Sequence, residues 1–407
     1  MNNNDVRKFL FYWVLSISLT VSLVGLLNYA VDPYGLYRTF EFVGGNQQKE
    51  GVRNKIRFVK ALELPLRRPK TIILGSSRVH DGINPDNPIL KEDGYSPAYN
   101  LGVDMSRIHE SLQYLKHALA NSEVKRVIIG LDFFMFNASQ KVNYNFDSSL
   151  VGRRIESVDY ITNTIFSTDA FMDSVRTLKI SHSQPGRMEF LANGYRPGSS
   201  VFYKLKNYEA LHRYTNFIFL SSQPNITKYY SDFSLDQEVF DDFERILKIC
   251  QDNQIDIKLY ISPAHANLDG EGIWAAEKWG MMEEWKKRVT LISNRYGVAV
   301  WDFSGYNSIT TEEVLTPMKN YWDSSHFTER VGNMIIARIF DKVEFDIPSD
   351  FGVKLTSNNI DAHLISTKRN RLKYIEMNAH DHKSLIESYK YFLSGGQIDP
   401  ENSAGIF

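Results

Sequence analysis

Four short stretches of this sequence carry residue types that can do chemistry. Gly75-Ser76-Ser77-Arg78 directly follows the apolar run Thr71-Ile72-Ile73-Leu74. A nucleophilic serine has to project from a sharp turn at the end of a strand, with backbone N–H groups free to bind an oxyanion. Gly75 permits such a turn, and Ser77 is the candidate nucleophile, its own amide one candidate donor. Asp323-Ser324-Ser325-His326 stands just ahead of a helical pattern. A general base needs a carboxylate to fix its tautomer, and an Asp and a His three apart on a turn can face one site. Tyr99-Asn100-Leu101-Gly102 ends a second short apolar run, and Gly130-Leu131-Asp132 ends a third. A glycine such as Gly102 can lend its amide to an oxyanion. Each stretch also has a plain structural alternative: a common Gly-Ser-Ser turn, an Asp near a helix N-terminus, a simple β–α turn.

The elements that must position these residues alternate along the chain. Strand patterns cover Thr71 to Gly75, Pro97 to Gly102, Val124 to Phe134, Ile255 to Ile261 and Val298 to Phe303. Between and after them lie helical patterns at Asp104 to Ser122, Val239 to Cys250, Gly272 to Tyr296 and Thr328 to Phe340. In the first of these, Ile108, Leu112, Leu115 and Leu119 share a face. Strands alternating with helices predict an α/β domain whose parallel sheet is covered on both faces, with sites at the carboxyl ends of the strands. The Tyr-, Ser- and Asn-rich stretch at about 137–235 breaks the rhythm and reads as a cap or substrate-facing insertion.

In chain order, Gly-Ser-Ser, Asn-Leu-Gly, Gly-Leu-Asp and Asp-x-x-His resemble the four blocks of the SGNH (GDSL-like) hydrolase superfamily. More narrowly, the chain is similar to membrane-anchored SGNH-like proteins that modify cell-envelope polymers. Among these are the alginate O-acetylation proteins and the D-alanylation protein that also carries Gly-Ser-Ser. The resemblance covers about Thr71 to Phe340, with the insertion unmatched. It implies a three-layer parallel-sheet domain of SGNH or flavodoxin-like type. It implies Ser77 as nucleophile, His326 as base, Asp323 as its orienter, and the amides of Ser77 and Gly102 as oxyanion donors. The implied activity is acyl (foremost acetyl) transfer to an exported polysaccharide, or esterase removal from it, without a cofactor. The implied partners are the polysaccharide acceptor and a polytopic membrane acyltransferase that supplies the acyl group.

The blocks depart from the family pattern twice. Ser76 stands where an Asp is usual, as in the Gly-Ser-Ser relatives, and Asp132 stands where an Asn side chain would donate. A carboxylate donates only when protonated. Arg78 is one candidate to replace that donor, whose loss typically costs about 10²–10³ in rate. The alternative function is a non-catalytic, membrane-tethered scaffold or polysaccharide-binding subunit. Asp132 is expected to pair with Arg78, which directly follows the candidate nucleophile.

The N-terminus bears on location. No residue from Phe9 to Val31 is charged, which gives about 34 Å of helix, enough to cross a hydrocarbon core. Arg7 and Lys8 precede it, and Asp32-Pro33 end it. This predicts a single-pass, N-in anchor in an inner or plasma membrane, with the rest of the chain periplasmic or extracellular. The apolar stretch is too long for the core of a cleaved signal peptide. The expected organisation is a cytoplasmic tip 1–8, the anchor 9–31, a basic irregular strap 32–70, the α/β domain 71–345 and a partly helical tail 346–407.

Composition narrows the classes. Lys plus Arg (47) nearly balances Asp plus Glu (48), which argues against a nucleic-acid-coating protein. One cysteine, Cys250, excludes an intrachain disulfide framework and any Cys-rich metal site. His380-Asp381-His382 lacks an evident third ligand, so no metal is expected. His265, at the end of the fourth strand, is a weaker candidate for touching substrate. Trp274 and Trp285 read as one core stripe, and Trp279 as the more exposed ring.

Overall fold

The computed structural model of the chain describes residues 3–38, 40–92, 94–140, 150–183, 190–198, 230, 232–314, 318–342 and 346–394. Its centre is a six-stranded sheet in the order β2-β1-β3-β4-β5-β6. The strands are β1 (Thr71–Leu74), β2 (Ala98–Asn100), β3 (Arg126–Leu131), β4 (Asp256–Ile261), β5 (Val300–Asp302) and β6 (Val353–Leu355). The first five run parallel, and β6 pairs antiparallel with β5. The sheet is therefore mixed rather than purely parallel, and β6 comes from a segment the sequence pattern leaves as tail.

β1 and β3 are buried along their whole length, as strands covered on both faces must be. Their side chains alternate between two cores. Ile72, Leu74, Val127 and Ile129 join the one packed by helices Ile108–Asn121, Gln237–Asp252 and Trp279–Arg295. Ile73 and Ile128 join the other, packed by helix Glu329–Ile339. In a 2-1-3-4-5 order the crossovers leave β1 and β3 in opposite directions. A crevice then opens at their carboxyl ends. Ser77 and Asp132 follow those two strands.

Two expectations about the flanks are corrected, and a third holds for one segment and not for another. The strap contains the helix Ile56–Arg67, whose Val59, Leu62 and Leu64 join the core. Two of its basic residues, Lys60 and Arg57, are buried clamps. Lys60 Nζ donates to the carbonyls of Asn100, Gly102 and Gly194 at 2.8, 2.6 and 2.9 Å, and Arg57 Nε meets Glu110 at 2.8 Å. The tail is part of the domain: besides β6 it supplies helices Ile360–Met377 and Ala379–Leu393. Arg371 and His382 each bond Glu271 Oε2 at 2.7 Å, and the Tyr389 hydroxyl bonds the Asn267 carbonyl at 2.6 Å. Of the insertion, helix Thr168–Ser183 packs against the N-terminal helix, whereas 190–198 lies at the ends of β1 and β2, the Asn193 carbonyl accepting the Asn100 amide and the Arg196 amide donating to the His80 carbonyl. Residues 141–149, 184–189, 199–229 and 231 of it lie outside the described residues.

The tryptophans also exchange roles. Trp274 is 44% exposed, whereas Trp279 and Trp285 are buried. The helix begins at Trp279, after a π-helical stretch Ala266–Gly272 and a single turn Ile273–Ala275. A continuous 3.6-residue period from Trp274 to Trp285 therefore does not exist.

Candidate active site

Ser77 opens the short helix Ser77–Gly82 directly after β1. Ser76 caps it, its hydroxyl accepting from the Arg78 amide at 3.2 Å. Gly75 makes the turn possible: at φ +150° an added Cβ would lie 2.3 Å from Val79 Cγ2 and 2.9 Å from the Gly130 carbonyl. The Ser77 amide is the first helical N–H, one of those with no partner inside a helix.

The Asp323–His326 loop meets this turn from the other end of the domain sequence. His326 Nε2 lies 2.8 Å from Ser77 Oγ. His326 Nδ1 lies 2.8 and 3.0 Å from the two Asp323 carboxylate oxygens. An ionised carboxylate only accepts, so Nδ1 carries the proton and Nε2 is left to accept from the serine hydroxyl. Asp323 Oδ1 also accepts the amides of Ser325 and His326 at 2.7 and 2.8 Å, which locks the loop. Burial raises the Asp323 carboxyl, but the imidazole and these amides outweigh it and hold it below the usual carboxylate range. Burial lowers the His326 imidazole, but Asp323 outweighs that and holds it above its ordinary value.

Arg78 joins the two motif loops. It is 2% exposed, and its Nε donates to Ser325 Oγ at 3.2 Å. Its Nη1 reaches Asp132 Oδ1 at 2.8 Å, the expected pairing. It also holds Asp269 through both nitrogens, at 2.7 and 3.0 Å. Asp132 Oδ2 accepts the Ser76 hydroxyl at 2.5 Å. Burial raises the Asp132 carboxyl above the usual range, against the pull of Arg78 and Ser76.

Two sequence candidates sit in other roles. The Gly102 amide is not aimed at open space: it donates to Asn100 Oδ1 at 2.8 Å. Asn100 Nδ2 in turn donates to the carbonyls of Val79 and Ile83 at 2.9 and 2.8 Å. Asn100-Leu101-Gly102 is thus a clip that closes the end of the Ser77 helix. His265 is 1% exposed; its Nε2 bonds the Glu312 carbonyl at 2.7 Å and its Nδ1 accepts the Asn267 amide at 3.2 Å. Burial pushes it down to about 4, so it is a neutral brace for the loop before Asp269.

Sequence reasoning missed Asp269, Asp81, Asp104 and Arg196. Arg196, from the insertion, bonds both Asp81 oxygens at 2.6 and 2.9 Å and reaches Asp104 at 2.9 and 3.2 Å. Asp81 and Arg196 lie close enough for their opposite charges to act on His326. None of the four belongs to a short motif, and no local pattern marks them. Among the described residues no group of three or more His, Cys, Asp or Glu could hold a metal.

No family model and no curated protein matches the chain. A solved structure from Streptococcus pneumonia, provisionally described as a platelet activating factor, aligns over 73% of this chain and 96% of its own, at 10% identity and a TM-score of 0.33. A superposition at that level says nothing about chemistry.

Proposed function

We propose that the chain is a serine-dependent acyl-transfer enzyme anchored to a membrane by its N-terminal helix. The observation that carries this is His326, seated between Ser77 Oγ and Asp323 at 2.8 Å from each. In the first step Ser77 attacks an acyl carbonyl while His326 Nε2 takes its proton. The resulting imidazolium is stabilised by Asp323, and the oxyanion forms beside the Ser77 amide. The leaving group departs with the proton from His326. An incoming hydroxyl, deprotonated by the same nitrogen, then releases the acyl group from Ser77. A sugar hydroxyl as acceptor makes the reaction a transfer, and water makes it an esterase. The SGNH resemblance favours an exported polysaccharide as acceptor and a polytopic membrane acyltransferase as donor.

The helix Asn3–Val31 is long and apolar enough to cross a membrane. Arg7 and Lys8 ahead of it favour an N-in anchor with the site outside the cytoplasm. Asn28 favours an uncleaved helix, because its side chain bonds into the folded domain at Ile165 O and Ser167 O.

A second reading, a non-catalytic scaffold, is favoured by the engaged Gly102 amide and the carboxylate at Asp132, which leave the oxyanion few donors. One experiment separates the two. A fluorophosphonate serine probe should label the solubilised full chain at Ser77, and Ser77→Ala should abolish labelling and acetyl-ester hydrolysis without lowering the melting temperature. Absence of labelling in a folded wild-type protein sinks the enzymatic reading.

A further inference from the structure

The free part of the anchor is too short for a bilayer. The helix Asn3–Val31 is exposed all round up to Leu23; beyond it Gly25, Asn28 and Val31 are buried against the domain, while Leu26 and Tyr29, 65 and 42% exposed, keep the outer face open. From Phe9 to Leu23 the uncharged, unpacked helix is about 22 Å long. A hydrocarbon core is about 30 Å thick, so about 8 Å of lipid remains to be crossed by the part already packed on protein. The domain cannot then stand clear of the membrane.

What the last turns pack against fits that depth. The elements in contact are the π-helical turn Ile161–Ile165 and helix Thr168–Ser183. A Cβ on Gly25 would lie 2.6 Å from the Phe166 ring, so ring and helix touch. Asn28, a polar residue at this depth, is 1% exposed and fully bonded. It donates to Ile165 O and Ser167 O at 2.9 and 3.1 Å and accepts from Ser174 Oγ at 3.0 Å. Such satisfaction is what a polar group in hydrocarbon requires.

The same elements turn apolar side chains outward. Ile161, Phe166 and Met172 are 47, 51 and 53% exposed, and the exposed Asp169 among them is ion-paired with Lys55 at 3.0 Å. On the helix that follows, Val175 continues the apolar face, and Arg176 and Lys179, further along, are exposed. Apolar residues first and basic residues one to two turns on is the order of acyl chains and phosphates across an interface. The loop bonded to the end of the anchor, Asn46 Nδ2 donating to Ala30 O, also exposes Phe40 and Val43.

We propose that Ile161, Phe166 and Met172, with the loop at Phe40–Val43, form a collar sunk into the leaflet on the domain's side of the membrane. The collar holds the Ser77 crevice at a fixed height and tilt above the lipid, instead of on a swinging tether. This rests on the helix being a membrane anchor, and the test separates the two ideas.

Nitroxide labels are placed on Ile161→Cys, Phe166→Cys, Met172→Cys, Lys248→Cys and Leu15→Cys in the full chain, reconstituted in phosphatidylcholine–phosphatidylglycerol vesicles. Cys250 is buried and stays silent. All five positions are exposed and outside the Ser77 site, and a wild-type melting temperature checks each variant. Collisions with dissolved oxygen mark lipid, and collisions with a nickel chelate mark water. Labels at 161, 166 and 172 should be oxygen-dominated, at about 5–10 Å below the phosphates, with 248 nickel-dominated. Nickel-dominated labels at the three positions, with 15 in lipid, overturn the collar alone. Labels reached by neither reagent overturn it too, since a second copy then covers the face. A nickel-dominated label at 15 overturns the anchor itself, and the collar with it.

Discussion

Replacing Asp132 with asparagine keeps the shape of the side chain and removes its charge. Asp132 is fully buried, and in the folded protein it takes one bond from Arg78 at 2.8 Å and one from Ser76 at 2.5 Å. Were Asp132 the sole partner of Arg78, the change would leave a buried cation unpaired, at about 3–5 kcal/mol. It is not the sole partner. Asp269 keeps both of its bonds to the guanidinium. The loss is then one charge-assisted hydrogen bond, about 1.5–3 kcal/mol. In a domain of well over 250 residues that is a fall in melting temperature of about 2–4 °C.

The assay is thermal and urea unfolding of the solubilised full chain, for Asp132→Asn, Asp269→Asn and the double variant. Only the double variant strips Arg78 of every carboxylate, so its loss should exceed the sum of the singles. Two results refute the reasoning. One is strictly additive losses, which mean that Arg78 does not bridge the two acids. The other is an Asp132→Asn variant as unstable as the double, which means that Asp269 contributes nothing.

Two further outcomes are expected. The base must be neutral to act, and Asp323 holds His326 above its ordinary value of about 6.5. Ester hydrolysis should therefore rise with pH through a midpoint above that value, and Asp323→Ala should move the midpoint down in a pH–rate profile. The linked stability has the opposite sense: His326's contribution is full below the unfolded value and is lost as pH rises through the folded one. Asn100→Ala should cost about 2 kcal/mol or more in urea unfolding, because it strands the Gly102 amide and the Ile83 carbonyl, while the Val79 carbonyl keeps the Ile83 amide.

What could be read in the sequence was local. Glycines at strand ends and the spacing of Asp323 and His326 are short-range patterns, and the structure brings Ser77 and His326 together across that distance. Strand existence was legible because β1 and β3 are continuous apolar runs. Long-range partners were not. Asp269 sits on an irregular π-helical stretch, and Arg196 in an aperiodic insertion, so no period marks either. Lys60 and Arg57 read only as part of a basic irregular strap, because burial on loop carbonyls and a distant Glu leaves no local trace. β6 is three residues of VKL beyond the last helix of the pattern, and its strand character comes from pairing with β5.

The two positions at which the sequence departs from the blocks it resembles, 76 and 132, meet in space. Ser76 Oγ and Asp132 Oδ2 are 2.5 Å apart. An Asp at position 76 would set two carboxylates against each other there, and one would have to stay protonated. A hydroxyl instead gives Asp132 a donor, and it also accepts the Arg78 amide, which caps the Ser77 helix. Asp132 can then serve as an anchor for Arg78, a task an Asn would do with a weaker, uncharged bond. The exchange removes a side-chain donor from the oxyanion's surroundings. It adds a buried guanidinium tied to both motif loops, through the residue after Ser77 and through Ser325. In the proposed reaction an oxyanion next to Ser77 would form in the neighbourhood of that guanidinium, whose charge Asp132 and Asp269 share. The rigidity of the Ser77–His326 contact and the polarity of the space beside it therefore depend on the same side chain, Arg78.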